Sequence, residues 1–277
     1  MNELSPSSPH LEKLFSAIEN DEIALPAMPD LAIKIQRMLD DFNVSAMQIV
    51  TAVSSDPVLA AQIIKAANSA LYSGKPKVDK VMPAVSRIGY KSLRNLVITV
   101  TMNKLSAATH PVAKKHIADF WVHSREVAAI SYVLAKNQKH LNPDEALLAG
   151  LVHDIGTLPL CLFAEKNVAN LDGQMLESLT RRFGAKVGEK LLLKWEFPEA
   201  LARIPVAHED LQHDSGELLA SYADIVTVAN MLNPSSVKMI DWYKITAVRK
   251  LWLDKETLQT FFEKFDKELF AAREILS

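Results

Sequence analysis

The hydrophobic residues of this chain recur at intervals of three to four positions along most of its length. This spacing places them on one face of an α-helix, and the alternating runs of β-branched residues that are typical of strands are scarce. Glycine is scarce too, with 8 among 277 residues. Together these features predict an all-α fold.

Helix-start signals stand where the periodic runs begin. Three predicted helices open with a polar cap followed by a proline or a capping-box residue: Ser45 with Gln48, Asp56 with Pro57, and Asn142 with Pro143 and Glu145. Such caps satisfy N–H groups that the first turn leaves free, and proline fits there because it has no N–H. Asp214 or Ser215 is expected to open a later helix that includes "ELLASYADIVTVANML", and Gly89 separates two earlier ones.

The C-terminal stretch over 254–276 has the pattern of an amphipathic helix. Its apolar residues form one broad face: Leu258, Phe261, Phe262, Phe265, Leu269 and Phe270. We expect this helix to dock on the rest of the protein, with binding to a partner as a minor alternative.

A polar segment interrupts the helices near the middle of the chain. It reads "SAATHPVAKK" (106–115) and contains Pro111, which makes it the best candidate for a boundary. The predicted organisation is a mobile leader with a first helix over 1–22, an N-terminal helical subdomain over 23–105, and a second helical subdomain, packed against it, over 106–277.

Composition narrows the environment in which the chain is expected to work. The net charge is −2, from 31 basic and 33 acidic residues, so general binding to nucleic acid or anionic membranes is not expected. The single cysteine, Cys161, stands between two leucines and is expected to pack as a small apolar residue. Neither a signal peptide nor an apolar run of about 20 residues is evident. These features predict a cytoplasmic protein without membrane contact.

Three segments each carry polar groups on an apolar face. They hold His123, the adjacent pair His153 and Asp154, and Asp224. Burying an unpaired carboxylate is costly, so convergence of the segments would supply the donors or the cation that both aspartates need. Histidine and carboxylate ligands suit Zn, Fe, Mn or Ni. Each residue taken singly has a structural alternative, as a hydrogen-bonded core histidine or a helix-capping aspartate.

Further segments in both halves accompany this ordered set: "LPAMPDLAIKIQRML", "VSSDPVLAAQIIKAANSALY", "VMPAVSRIGYKSLRNLVI", "FWVHS", "ALLAGLVHDIGTL", "FGAKVGEKLLLKWEFPEAL" and "YADIVTVAN". The order His…His-Asp…Asp resembles the HD superfamily of metal-dependent phosphohydrolases. The whole set, from about Ile23 to Asn233, resembles more closely the HDOD family, the HD-related output domain of bacterial signalling proteins. The "DPVL…ANSALY" segment is the most specific, since plain HD enzymes lack that subdomain.

The resemblance implies an HD-like C-terminal subdomain with a metal site. His123 resembles the first ligand histidine, His153 and Asp154 the paired motif, and Asp224 the closing aspartate, while His208 is a weaker candidate. In active HD enzymes the ligands hold a divalent ion, which activates water and polarises a phosphate. The implied cofactor is therefore Fe, Mn, Zn, Ni or Mg.

Other positions depart from the pattern of active relatives. Many relatives read "HDIGK", where this chain has Thr157 and so lacks a cation that could contact a phosphate. A histidine of relatives corresponds here to Gly184, and a His-His pair corresponds to Ala207 and His208. The Gly-Tyr-Pro loop of HD-GYP cyclic-dinucleotide phosphodiesterases is missing. These losses argue against a two-metal phosphodiesterase.

Two functions remain open from the sequence. The first is a non-catalytic output or regulatory module in bacterial signal transduction, which acts through a signalling protein partner or a small ligand. The second is a one-metal phosphohydrolase that acts on a nucleotide or cyclic dinucleotide. Several basic residues show no phosphate-binding spacing: Lys91, Arg94, Arg181, Arg182 and Lys186. The lost groups favour the first function, and no catalytic residue is assigned.

Overall fold

A computed structural model of the chain describes residues 15–20, 22–72, 76–102, 105, 108–168, 170–212, 214, 216–233 and 242–276. Within these ranges every regular element is helical, which confirms the all-α prediction. Residues 15–19 are helical, in line with the expected first helix. The leader over 1–14 and the candidate cap Ser215 lie outside the described residues.

Beyond residues 15–19, the described part of the N-terminal half forms α1 (Asp30–Asp40), α2 (Ala46–Ser54), α3 (Pro57–Asn68), α4 (Val81–Ile88) and α5 (Tyr90–Met102). α1 packs on α2 and α5, and α3 packs on α4 and α5. The chain that follows α3 is held by the Asn68 amide, which donates to the carbonyl of Val78 at 2.7 Å and accepts from its N–H at 3.0 Å. The "ANSALY" segment therefore has a structural role at this end of α3.

The C-terminal half is built around a long helix, α6, which packs most extensively on α7. Its helices are α6 (Pro111–Lys136), α7 (Pro143–Val152), α8 (Thr157–Asn167), α9 (Gly173–Lys194), α10 (Glu199–Ala202), α11 (Ile204–Ala207), α12 (Tyr222–Leu232), α13 (Thr246–Lys250), α14 (Lys255–Lys264) and α15 (Asp266–Leu276). A 3₁₀ turn over Trp242–Lys244 precedes α13.

Three of the predicted caps are confirmed. The side chains of Ser45, Asp56 and Asn142 each accept a hydrogen bond from the first turn of α2, α3 and α7, and the capping box predicted at α2 is complete. The prediction that Glu145 closes a box at α7 is wrong. Its carboxylate instead accepts a hydrogen bond of 2.6 Å from the hydroxyl of Tyr222 on α12.

The start of α12 differs from the prediction. Asp214 is not helical, and the helix begins at Tyr222, after the N-cap Ser221. The Asp224 N–H donates to the Ser221 hydroxyl at 3.2 Å, and the Asp224 carboxylate accepts from the Ser221 N–H at 2.7 Å. These bonds form a capping box, for which "SYAD" is the sequence signature.

The C-terminal amphipathic stretch forms two helices rather than one. Phe265 separates α14 from α15. Phe261 and Leu269 are buried as the pattern predicts, but Phe270 is 61% exposed, so the predicted apolar face is too broad. α15 packs on α6 and α3, which confirms that this stretch docks on the rest of the protein.

Glycines fix the position of the turn between α7 and α8. A Cβ at Gly150 would lie 2.7 Å from the Cα of Ala128, so the absence of a side chain lets α7 approach α6 closely. A Cβ at Gly156 would lie 2.1 Å from the carbonyl oxygen of Gly184 on α9, whereas a Cβ at Gly184 itself would meet nothing within 4 Å. The turn at 153–156 is therefore held by close backbone contacts with α9.

The two halves of the chain share a continuous hydrophobic core. Asp144, in the first turn of α7, accepts hydrogen bonds from the hydroxyls of Tyr72 and Ser92 in the N-terminal half. Burial, and then the Asp144 carboxylate, raise the pKa of Tyr72 well above its usual range. These contacts cross the predicted boundary, and the division into two subdomains stays a prediction.

One stretch, Pro143–Asn167, is long and apolar enough to cross a membrane by length and composition, contrary to our expectation that no such run exists. It comprises α7, α8 and the turn between them, and 83% of its most apolar window is buried inside the protein. α2 and α3 pass the same test only if they are counted as one span, although they are bent by 117°. Because the stretch over Pro143–Asn167 is mostly buried, its apolar character is that of a core segment. The absence of membrane contact stays a prediction.

Candidate metal centre

His123, His153 and Asp154 come together where the α7–α8 turn meets α6. The Nε2 atoms of His123 and His153 are 3.1 Å apart, and Oδ2 of Asp154 lies 3.2 Å from the second and 3.7 Å from the first. Two ligands that each stand about 2.1 Å from one ion are about 3.0–3.4 Å apart. The three atoms are therefore spaced much as ligands of a single metal ion would be.

His153 is fully buried, and the backbone fixes the orientation of its ring. Its Nδ1 lies 2.7 Å from the carbonyl oxygen of Gly150. Because a carbonyl only accepts hydrogen bonds, Nδ1 donates, and Nε2 is the atom directed at His123 and Asp154. Metal-binding histidines usually donate their second ring nitrogen in this way. The surroundings of His153 thus suit a ligand.

His208, at the end of α11, extends the cluster. Its side chain is 3% exposed, and its Nδ1 donates to the carbonyl of Ile204 at 3.0 Å. Its Nε2 lies 3.5 Å from Oδ1 of Asp154, and its ring packs edge-on against that of His153, with centroids 4.9 Å apart. The weaker candidate of the sequence therefore lies beside the other three residues.

α12 reaches the site through amides rather than through the expected carboxylate. The Nδ2 atom of Asn233 lies 3.1 Å from Nδ1 of His123, and Asn230 also forms a hydrogen bond with His123. The group whose ligand atoms all lie within 4.8 Å of one another contains His123, His153 and Asp154, and neither His208 nor Asp224. The carboxylate of Asp224 belongs to the capping box with Ser221. A ligand role for Asp224 stays a prediction that these contacts do not support.

Burial and the single carboxylate set the charges of the cluster. Burial, and then the charge of His153, lower the pKa of His123 and of His208 to about 4. Burial also opposes a charge on His153, but the Asp154 carboxylate outweighs it and raises the pKa of His153. Against burial, the three histidines hold the pKa of Asp154 well below its usual range. At neutral pH, two neutral imidazoles therefore face an ionised carboxylate.

The departures from active relatives are visible around this cluster. Thr157 is buried at the start of α8, and Gly184 presents only its backbone to the turn. Four of the five basic residues considered from the sequence pair with other carboxylates: Lys91 with Glu145, Arg94 with Asp40, Arg181 with Glu177, and Arg182 with Glu19. None of these four pairs involves a residue of the cluster.

Solved structures share this fold. A protein of Shewanella amazonensis SB2B, provisionally named a metal-dependent phosphohydrolase, has 24% identity and a TM-score of 0.82, over 96% of this chain and 98% of that one. An HDOD domain protein of Geobacter sulfurreducens has 22% identity and a TM-score of 0.67, over 97% and 98% of the two chains. A protein of Marinobacter aquaeolei VT8, provisionally named a signal transduction protein, has 22% identity and a TM-score of 0.64, over 97% of this chain and 66% of that one.

Sequence comparison gives the family. A protein of Treponema pallidum (strain Nichols), whose name states no function, is 24% identical over 275 residues. The match covers 91% of this chain and 52% of that protein, so this chain spans about half the length of that relative. The model of the HDOD domain matches residues 25–211, which is more than half of the chain. On this match, the chain belongs to the HDOD domain family.

Proposed function

We propose that this chain is an output module of bacterial signal transduction that binds one divalent metal ion and does not hydrolyse phosphodiesters. The ion would be held by His123, His153 and Asp154, with His208 beside them. The module would act in the cytoplasm through a signalling protein partner or a small ligand, and not on nucleic acid or membranes.

The orientation of His153 and His208 is the observation that supports a metal site. Nδ1 of His153 and Nδ1 of His208 each donate to a main-chain carbonyl, so both Nε2 atoms are turned toward Asp154. An ion bound at Asp154 could therefore be reached by both Nε2 atoms. Imidazole with carboxylate is a donor set that suits Zn, Fe, Mn or Ni.

The residues of this chain have separate tasks in such a site. The backbone holds His153 and His208, Asn233 holds His123, and Asp154 supplies the negative charge. When bound, a divalent ion supplies a Lewis acid that can polarise an oxygen ligand.

The side chains around the cluster support the non-catalytic part of the proposal. Enzymes that act on phosphates depend on positive groups aimed at the charge that develops on the phosphate oxygens. Thr157 stands where many relatives have a lysine, and Gly184 and Ala207 offer no further ligand. A substrate phosphate would therefore lack groups that active relatives supply.

A one-metal phosphohydrolase is the second candidate, and exposure of the cluster favours it. The Asp154 side chain is 38% exposed and that of His123 is 22% exposed. Solvent therefore reaches the carboxylate, and a substrate could approach an ion held there.

Metal binding is tested on the purified full chain after treatment with a chelator. The protein is titrated separately with Mn²⁺, Fe²⁺, Zn²⁺, Ni²⁺ and Mg²⁺, and bound metal is measured by mass spectrometry. We expect one ion per chain for at least one metal, with an affinity that Asp154→Asn lowers by about 10–100-fold. His116→Gln, which changes a half-buried histidine of α6, is the matched control. Equal binding by the wild type and Asp154→Asn, or no binding of any ion, contradicts the proposal.

Catalysis is tested on the metal-loaded protein with bis(p-nitrophenyl) phosphate and with a cyclic dinucleotide. We expect no hydrolysis above the level of Asp154→Asn. Metal-dependent turnover that Asp154→Asn abolishes, and that His116→Gln keeps, would establish the second candidate instead.

A further inference from the structure

A cavity of about 380 Å³ lies between the two halves of the chain. α1 and α5 line it from the N-terminal half, and α7 with residues 194–198 lines it from the C-terminal half. Small-molecule sites occupy about 300–1,000 Å³ and often lie where two structural units meet. None of the residues that line this cavity belongs to the metal centre.

About half of the residues that line the cavity are apolar, and the rest are polar or charged. Met28 and Ile98 line one side, and Leu148, Trp195 and Phe197 line the other. All five side chains are buried, so the wall is part of the packed core. Such a surface favours a ligand with an aromatic or aliphatic body.

Asn95 places a buried amide in this wall. The residue is only 6% exposed, and its Nδ2 atom has no hydrogen-bond partner. Native proteins rarely leave a buried donor without a partner, because its desolvation is then not compensated. Asn95 also lines the cavity, so a rotation of its side chain would bring this donor to an acceptor on a ligand.

The charged residues of the lining indicate what charge a ligand can carry. Most of them are engaged: Arg94 with Asp40, Glu145 with Tyr222, and Lys194 with the carbonyl of Leu25. The side chains of Arg37 and Glu196 are exposed and form no hydrogen bond or ion pair with the described residues. The basic and acidic side chains of the lining are equal in number, which disfavours a multiply charged ligand.

We propose that this cavity binds a small organic monoanion with an aromatic or apolar body. The body lies against Trp195 and Phe197, an acceptor on it receives the hydrogen bond of Asn95, and the anionic group faces Arg37. The proposal does not depend on the metal centre, so either one can fail without the other.

The probe for this site is 8-anilino-1-naphthalenesulfonate, which combines an aromatic body with one anionic group. Its fluorescence on titration with the metal-free full chain is expected to saturate at one molecule per chain. Ala27 is exposed on the cavity lining, so Ala27→Trp adds bulk there without altering a buried side chain. We expect Ala27→Trp to lower the affinity at least about tenfold, a difference of about 1.4 kcal/mol. Ala24→Trp, at an exposed position that does not line the cavity, should leave the affinity unchanged.

Two further variants separate this site from general binding to apolar surface. Asn95→Leu should lower the affinity for the probe if an acceptor of the probe binds the Asn95 amide. It would raise the affinity for a probe that is held by apolar contacts alone. Arg37→Gln should weaken binding, most clearly at low salt because exposed charges are screened. Lys34→Gln, on the same helix but outside this cavity, is its control.

The outcomes decide the proposal. Saturable binding that falls with Ala27→Trp, Asn95→Leu and Arg37→Gln supports it. No binding, or binding that none of the three variants changes, overturns it. Metal content and the thermal melting curve are measured for every variant, so that a damaged fold or an altered metal centre is recognised separately.

Discussion

Each histidine of the candidate metal centre has one ring nitrogen beside a hydrogen-bonding neighbour and one turned into the cluster. The neighbours are the carbonyls of Gly150 and Ile204, which accept from His153 and His208, and the amide nitrogen of Asn233, which faces Nδ1 of His123. At the scale of single residues, His153 and His208 therefore have the orientation that is usual for metal-binding histidines. Asp154 is the residue on which the three rings depend, since each ring has a contact with its carboxylate.

His208→Gln tests whether the third imidazole ring is a ligand or only a neighbour. Its Nδ1 is the donor in the bond to Ile204, which leaves Nε2 free to bind a metal. We therefore expect the variant to lower the affinity for the tightest-binding ion by about tenfold or more, as measured by isothermal titration calorimetry. An affinity equal to that of His116→Gln would assign His208 to packing alone.

Cys161 is expected to be chemically inert in the folded protein. Its side chain is fully buried, and burial, with a further contribution from Glu165, raises the pKa of its thiol to about 12. The thiolate is the reactive form, so we expect no reaction of the native protein with 5,5′-dithiobis(2-nitrobenzoate) at mildly alkaline pH. One thiol per chain should react after unfolding in guanidinium, and rapid labelling of the native state would contradict this expectation.

At the scale of helices, two glycines meet where the α7–α8 turn crosses α9, and we expect their replacement to change stability in opposite directions. Gly156→Ala would drive a Cβ against the carbonyl of Gly184, and we expect it to lower the free energy of unfolding by about 3 kcal/mol. Gly184→Ala adds a methyl group where there is open space in a helix, and should raise that free energy by about 0.5–1 kcal/mol. Denaturation in urea measures both, and equal effects would refute this description of the crossing.

Local signals in the sequence predicted helix starts better than they predicted partners across the fold. A cap such as Ser45 depends on residues within one turn, so the sequence contains all that is needed. The prediction that Asp214 starts a helix was wrong, because the helix begins later in the chain, at the capping box of Ser221 with Asp224. The ligand role of Asp224 was predicted because it lies on the apolar face of α12, and it stays a prediction, since helical periodicity does not say which end of that helix meets His123.

The site itself was predicted in part for the same reason. The pairing of His153 with Asp154 and the presence of His123 follow from residue type and order. The asparagines of α12 were missed, although Asn230 and Asn233 are polar residues in or beside an apolar helix, the signal that had singled out Asp224. Which of them contacts His123 depends on the angle at which α12 crosses α6, and that angle is set by packing throughout the core.

At the scale of the whole molecule, Asp144 connects the two halves of the chain. It accepts hydrogen bonds from Tyr72 and Ser92, and it lies on α7, the helix that ends at His153. The metal centre and the cavity described above therefore both border one helix that is anchored to the N-terminal half.

Tyr72→Phe tests this anchor. Loss of the hydroxyl removes one partner of a half-buried carboxylate, and we expect the free energy of unfolding to fall by about 1–2 kcal/mol. In a double-mutant cycle with Asp144→Asn, the two changes should be coupled by about 0.5–3 kcal/mol. Tyr90→Phe, at a tyrosine that is 47% exposed, is the control and should change stability by less than about 0.5 kcal/mol. Full additivity of Tyr72→Phe and Asp144→Asn would show that the contact contributes nothing.

The backbone contact between Gly156 and Gly184 bears on which positions around the turn tolerate change. The contact positions the backbone of His153 and Asp154 without using a side chain, and a Cβ at Gly184 would meet no atom within 4 Å. Position 184 can therefore accept a small side chain while the His-Asp pair keeps its place, whereas position 156 cannot.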